Sequence, residues 1–386
     1  MFDLTDLLAE VRGVRGGNAF GLIVPKSKFL TSHVTTRGIS RIRKGKECKP
    51  YFTAADDDRT RCVANEVSGD DLSLTSIQWA VGRHQKKFGA SRGEEDPFEF
   101  LARMGLVERQ HCGTRDAGQY RVTLAALILF GKEAALSRVL SNCETVVSSE
   151  GGHVRIRRNV VESIRELVYS EKSPIRQRCQ QVSQEMLLEL LMNAYIHRCW
   201  RTPGPIMIRV DQFLEIQNPG DLMPGLHVAN LLHCVPSYRN FLLAESSRYA
   251  GLCDKLGKGI GMVFDSALKG GLDIPIFESE NNSFTARLSL VRSDDFREFV
   301  RARSSSLSSM DEILVLRALW ERKDADVQEI AQVLQRGFEQ SEAVLRGMEK
   351  KLMVERAGNG RFLLSSGIRS DIDHIFQADQ MHLFRH

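Results

Sequence analysis

The chain has 386 residues, 42% of them hydrophobic and 26% charged, and a net charge of +4; this is the balance of a globular protein with room for two or three domains, not of a disordered chain. Its eight cysteines are scattered with no CxxC pair, so neither a zinc module nor a disulfide framework is expected. There is no run of about 18 apolar residues to span a membrane and no signal-peptide layout in MFDLTDLLAEVRG, so a cytoplasmic, membrane-free protein is expected, and the mild basic lean permits an anionic partner without requiring one.

In chain order, the first stretch, to about residue 70, alternates short apolar runs with turns (AFGLIVP, KPYFTAADDDRTRCVANEV) and reads as strands and hairpins. Within it RGISRIRKGKECK gathers Arg37, Arg41, Arg43, Lys44, Lys46 and Lys49 against Glu47. From Thr75 to Leu106 the apolar period turns helical, interrupted by GASRGEEDP; GLVERQHCGTRDAGQYRVT then reads as a β-ribbon, and the apolar LAALILFG follows. Two helical stretches between Asn159 and Ile196 flank SEKSPIRQ. Strands GPIMIRV and FLEIQNPG come next, with a hairpin turn at Asp211-Gln212, then a long loop-and-helix region and LGKGIGMVFDSAL, a glycine-rich turn opening into a helix. SFTARLSLV alternates as a strand should, and RARSSSLSSM, residues 301–310, is a polar, serine-rich linker. No internal repeat of fixed period is evident.

One stretch breaks its own pattern. EMLLELLMNAYIHR is largely Leu, Met, Ile and Ala, yet Glu189, Asn193 and His197 recur every fourth residue, with Glu185 one turn earlier. Residues four apart share a helix face, and an unpaired carboxylate is costly to bury. The parts that follow suggest what this stripe faces. A carboxylate such as Glu189 can orient and deprotonate a water that attacks a γ-phosphate. An amide oxygen one turn on, at Asn193, can hold Mg²⁺ without adding charge beside phosphates. Glycines at the start of a helix let backbone N–H groups converge on phosphate oxygens, and Lys258 in that turn adds a mobile positive charge. A core helix with its polar groups satisfied by neighbours is the competing reading. For His197, pointing into the site and packing behind it are equally open.

The ordered set ELLMNAYIHR, IMIRVDQFLEIQNPGDLMPGL, SYRNFLLA and LGKGIGMV resembles the ATP-binding module of the Schlafen/RecG-like transcriptional regulators. That module belongs to the gyrase, heat-shock chaperone, histidine kinase and MutL (GHKL) superfamily. The likeness runs from Arg121 to Val291. It implies an α+β fold with a central GHKL-type α/β sandwich over residues 121–300 and ATP and Mg²⁺ as cofactors. It further implies Glu189 as general base and Asn193 as Mg²⁺ ligand. Asn218 and Gly220 then fall in the adenine loop and Gly257, Gly259 and Gly261 in the phosphate loop. Three positions depart from the family pattern. Cys199 stands where an acid is usual, Phe241 where a proline is usual, and Asn218-Pro219-Gly220 where the superfamily has Asp-x-Gly-x-Gly. An Asn oxygen accepts from the adenine amino group without charge assistance, so weak binding, and binding without turnover, both follow from this departure.

Two modules flank the centre. RIRKGKECKPYFT resembles the latter half of the AlbA-like Schlafen domain, which makes residues 1–70 a partial, small mixed α/β module followed by a connecting region over 71–120. It implies that the chain begins late, that the module is reduced, or that another chain, a second copy included, completes its sheet. Residues 311–366 have the spacing of a winged helix-turn-helix, with Leu314, Leu316 and Leu319, then Ile330, Ala331 and Leu334, then Val344, Leu345 and Leu352 facing inward, and a tail over 367–386. Phosphate contacts are expected from Arg41, Arg43, Lys44 and Lys46 and, as a second patch, from Arg346, Lys350 and Lys351. The acids Glu339 and Glu342 on the third helix oppose tight groove reading. Two functions follow as expectations. The first is an ATP-binding, at most slowly hydrolysing, switch that couples nucleotide to nucleic acid or partner binding in transcription regulation or phage defence. The second is a non-catalytic DNA-binding or interaction protein with a degenerate ATPase fold.

Overall fold

The computed structural model describes the backbone of residues 10–13, 20–23, 33–34, 40–44 and 47–50, and residues 58–64, 66–89, 96–109, 120–140, 144–253, 259–358 and 360–372. Among these, the chain is a mixed α/β protein with one central mixed sheet and many helices. In the first region β1 (Glu10–Gly13) pairs with β2 (Phe20–Ile23), and β3 (His33–Val34), β4 (Ser40–Lys44) and β5 (Glu47–Pro50) form an antiparallel three-stranded sheet.

A helical layer follows. Helix α1 (Leu74–Phe88) is capped by the Ser73 side chain and closed by Gly89 in the left-handed region, and α2 (Pro97–Arg103) starts at Asp96 with proline in its first turn. The ribbon β6 (Val107–Arg109) and β7 (Tyr120–Val122) leads into α3 (Leu124–Phe130), whose seven residues are all buried, and then α4 (Glu133–Val139). The apolar LAALILF is therefore a buried helix, and Thr123 caps its first turn by accepting from the Ala126 N–H.

The central sheet has the order β12-β13-β11-β10-β8-β9, built from β8 (Thr145–Ser149), β9 (Gly152–Ile156), β10 (Ile206–Val210), β11 (Phe213–Pro219), β12 (Ile276–Glu280) and β13 (Ser283–Ser289). Only β8 and β10 pair in parallel. A parallel pair needs a long crossover. Here it comprises α5 (Val160–Ile164) with its π-helical continuation Arg165–Tyr169, α6 (Pro174–Arg178) and α7 (Gln184–His197). Alternation along β11 turns Leu214, Ile216 and Asn218 to the buried face, so the last inward position before the turn carries an amide instead of an apolar side chain. Between β11 and β12 lie a long connection, α8 (Phe241–Tyr249) and α9 (Gly259–Lys269), and α9 packs on α7.

After α10 (Asp294–Ala302) come α11 (Met310–Arg322), β14 (Asp324–Ala325), α12 (Val327–Leu334), α13 (Phe338–Lys350), β15 (Val354–Arg356) and β16 (Phe362–Leu364), with a small sheet ordered β14-β16-β15. Helix α10 ends at Ala302 and α11 starts at Met310, so the segment between these helices is shorter than the serine-rich run suggested. This unit is tied to the centre. α11 packs on α9, and Arg317 of α11, buried, pairs with Asp273 just after α9 and with Glu321 at 2.7 Å. The Arg317 guanidinium also lies 4.9 Å from the Phe296 ring of α10. Among the described residues no helix is long and apolar enough to cross a membrane.

Candidate functional site

Helix α7 buries Met186, Leu187, Leu190, Leu191, Met192, Ala194, Tyr195 and Ile196, each contributing on the order of 1.5–3 kcal/mol through burial for the larger side chains. Ser183 caps its start by accepting from the Met186 N–H. With the helix held this way, Glu189, Asn193 and His197 line a cavity of about 620 Å³, inside the usual range for small-molecule sites of roughly 300–1,000 Å³. Glu185, the head of the stripe, is exposed and is not part of the lining. The Asn193 Nδ2 donates to Glu189 Oε1 at 3.1 Å, which leaves the amide oxygen as that side chain's acceptor.

The start of α9 closes against this stripe. A Cβ added to Gly259 would lie 1.5 Å from Glu189 Oε1 and 2.3 Å from its Cδ. Only a residue without a side chain lets the helix start approach the carboxylate so closely. Gly261 also lines the cavity, yet a Cβ there would meet nothing within 4 Å. The two glycines of one motif therefore have different reasons to be there.

Asn218 and Gly220 form the opposite end. Asn218 is buried at the end of β11, opposite Phe284 of β13. Gly220 has φ +104°, donates its N–H to the Asn282 carbonyl at 2.7 Å, and would place a Cβ 2.7 Å from that of Cys199. The Cys199 N–H donates to the Pro219 carbonyl at 2.8 Å, so the turn after α7 and the turn after β11 are pinned together. Burial alone pushes the Cys199 thiol up, but hydrogen bonds from Thr202 and from the Arg201 and Thr202 backbone, with the Arg239 charge, outweigh it and hold the thiol below its usual range.

The third wall is the connection that returns from β11. Leu222, Met223, Leu226, Leu231, Leu232 and Cys234 present an apolar surface to the cavity, and Met310 at the start of α11 completes it. The segment then folds back onto α7. Asn240, buried, donates to the carbonyls of Ile196 at 2.6 Å and Arg198 at 2.7 Å, which satisfies the open carbonyl end of that helix. Arg239 donates to the Asp221 carbonyl at 2.7 Å and keeps a buried Nε without a partner among the described residues. It is the one Lys or Arg among the described lining residues, beside the carboxylates Glu189, Asp221 and Asp265. The His197 ring stacks on Tyr238 at 5.6 Å between centroids. Burial, and then the Arg239 charge, push the histidine down to about 4, so it is neutral at physiological pH. Burial and neighbouring Cys253 and Glu189 push the Tyr238 phenol up.

Of the residues singled out in the sequence, Glu189, Asn193, His197, Asn218, Gly220, Gly259 and Gly261 line this one cavity. Gly257, Lys258 and Lys46 lie outside the described residues, and Arg41, Arg43 and Lys44 lie on β4. In the C-terminal unit Arg346 pairs with Glu342 at 2.8 Å, Lys351 is bonded to Glu312 at 2.5 Å and to Ser308 at 2.8 Å, and Lys350 is exposed. Sequence reasoning picked out SYRNFLLA as a motif but gave Tyr238, Arg239 and Asn240 no role, and it missed Phe284 and Met310. The Arg-Asn pair before α8 was the one available signal, since an Asn at a helix start is a common cap; its actual partner is the end of a different helix.

A polar stripe, a glycine-opened helix start and an amide-ended strand thus meet at one cavity. Comparisons with known proteins bear on the same part of the chain. Residues 204–288 match the family described as "Putative ATP-dependent DNA helicase recG C-terminal", and residues 51–146 match a "Domain of unknown function (DUF8451)". No curated protein matches. The fold is similar to the crystal structure of the DIP2311 protein from Corynebacterium diphtheriae, with a TM-score of 0.62 and 20% identity, covering 94% of this chain and 66% of that one. The chain thus spans just under two thirds of that structure's length, and the similarity of residues 204–288 to the RecG C-terminal family suggests ATP binding there.

Proposed function

We propose that the central unit is a GHKL-type sandwich that binds ATP·Mg²⁺ and serves as a nucleotide-dependent switch for its C-terminal winged helix. The carrying observation is that α7, β11 and α9, brought from distant parts of the chain, place seven residues of the ordered motif on one cavity. In this reading Asn218 and Gly220 meet the adenine, the start of α9 at Gly259 and Gly261 meets the phosphates, and Lys258 adds charge there. The Asn193 amide oxygen would hold Mg²⁺, and Glu189 would orient the attacking water and accept its proton. When bound, ATP·Mg²⁺ supplies the electrophilic phosphorus; the residues bind, orient and exclude water.

The switch is supported by what the connection over the cavity touches. The Leu232 N–H donates to Gln335 Oε1 at 2.9 Å, and His233 Nε2 is 2.9 Å from the Leu334 carbonyl. Leu334 and Gln335 sit at the turn between α12 and α13, and the element order of the unit supports the winged-helix reading. Moving the lid therefore alters a contact at the turn that precedes the third helix. Nucleic acid or a protein partner is the proposed output, through the basic hairpin of β4 and β5 and the charges on α13. Isothermal titration with ATP and a non-hydrolysable analogue, with Mg²⁺, tests binding; no heat with either at high protein concentration overturns the reading. Glu189→Gln keeps size but cannot accept a proton, so it is expected to retain ATP binding and lose turnover. Turnover equal to wild type would remove Glu189 from the chemistry. The neutral Asn218 and the single cation, Arg239, among the described lining residues favour one second reading, an interaction protein that holds nucleotide weakly without hydrolysing it; binding with no turnover in wild type would select it.

A further inference from the structure

A second cavity, of about 500 Å³, opens between α9, α10 and the start of α11. Lys269, Arg297 and Arg301 converge on it, with Asp265 as the one carboxylate among the described lining residues; the serines 304, 308 and 309 add hydroxyls, and Val300, Leu307 and Ile313 form an apolar floor. The cation partners are weak ones. Lys269 pairs with Asp265 one turn away at 2.9 Å, and Arg301 with Glu298 at 3.8 Å. Arg297 reaches Asp294 at 3.6 Å, but Arg292 already holds that carboxylate at 2.7 Å. Exposed pairs of this kind contribute little to stability, so all three side chains can be redirected to a ligand at little cost. A doubly charged phosphate satisfies several cationic donors at once, whereas a monocarboxylate does not.

From this convergence we infer a separate site for a small phosphate-bearing ligand, a diphosphate or phosphate ester with an apolar body, held by Lys269, Arg297 and Arg301. The apolar floor fits the body of such a molecule, and the three cations fit its phosphate end. Its place in the fold is informative. Asp265 and Met310 are walls of both this cavity and the first one, so an anion that draws Lys269 away from Asp265 changes a residue facing the first cavity. The site stands on its own residues and does not depend on what the first cavity holds.

The test uses the full-length protein, inorganic pyrophosphate as probe, and three variants checked for folding by circular dichroism. Pyrophosphate is expected to bind wild type, and the triple variant K269M/R297M/R301M to bind it at least about tenfold more weakly, since charge-assisted hydrogen bonds are lost together. A control triple of equal charge change on the far sheet edge, R155M/R157M/R158M, is expected to keep wild-type affinity. R301M alone, a substitution at an exposed position, is expected to weaken binding by a smaller factor and covers the case in which the triple variant misfolds. Undiminished binding by both the triple variant and R301M, equal weakening by the control triple, or no binding to wild type would each overturn the site. A short single-stranded oligonucleotide that binds through the same three residues while pyrophosphate does not would assign the surface to nucleic acid and overturn the small-ligand class.

Discussion

The two long walls of the first cavity are built on opposite principles. The wall of α7 and the start of α9 depends on backbone approach: Gly259 abuts Glu189 so closely that no Cβ fits, and Asn193 is hydrogen-bonded to the same carboxylate. The wall from Leu222 to Tyr238 is made of apolar side chains and is held to the C-terminal unit by two hydrogen bonds at Leu232 and His233. Apolar contacts are non-directional and adapt to a changed neighbour. At Gly259 a side chain could be admitted only by pushing the Glu189 carboxylate out of its place. The first wall is therefore suited to fixing chemistry and the second to moving, and the difference predicts how substitutions in each should behave.

The strongest test lies in the rigid wall. Gly259→Ala is expected to push the Glu189 carboxylate aside, at a stability cost of up to about 1 kcal/mol, and to abolish ATP binding, read by chemical denaturation and calorimetry. Gly261→Ala, two residues on in the same motif, meets open space and is expected to leave stability unchanged or raise it by up to about 1 kcal/mol, because Gly is a poorer helix residue than Ala. Equal effects at the two positions would remove the distinction between them.

His197, at the end of α7, meets the second wall by stacking on Tyr238, and this meeting should show in pH. Its pKa is pushed down to about 4 in the folded protein by burial and by Arg239, against about 6.5 in an unfolded chain. As pH falls, the unfolded chain takes up the proton first, so the stability from the neutral ring is complete above about 6.5 and is lost as pH falls towards 4. The slope is at most about 1.4 kcal/mol per pH unit, and less because solvent reaches the half-buried ring. Denaturation at pH 7 and pH 5 should therefore differ more for wild type than for His197→Gln; identical differences would contradict the assignment.

The smallest expected effect is in the adaptable wall. Gln335→Ala removes the acceptor for the Leu232 N–H and is expected to cost about 1 kcal/mol. Limited proteolysis should cut more readily between residues 222 and 238 in this variant, with bound ATP restoring protection. Cleavage unchanged by the substitution would mean that the apolar contacts alone hold the segment.

Much of this site could be read in the chain by itself. Spacing of four in α7 put Glu189, Asn193 and His197 on one face because a helix repeats every 3.6 residues, and alternation in β11 carried Asn218 inward because a strand repeats every two. These are local periodicities, and local steric rules set them. The meaning of individual residues was not local. LAALILF gave no period to distinguish a buried helix from a buried strand, and all seven of its residues are buried in the fold. Gly259 and Gly261 look alike in sequence, yet only one meets a carboxylate. Asn240 closes a helix 44 residues earlier in the chain, and Met310 reaches the cavity from the C-terminal unit. Contacts between distant segments depend on which faces the folded chain brings together, and no periodicity within a segment encodes that; the sequence determined the polar stripe and the glycine turn, and the tertiary structure alone decided what each of them touches.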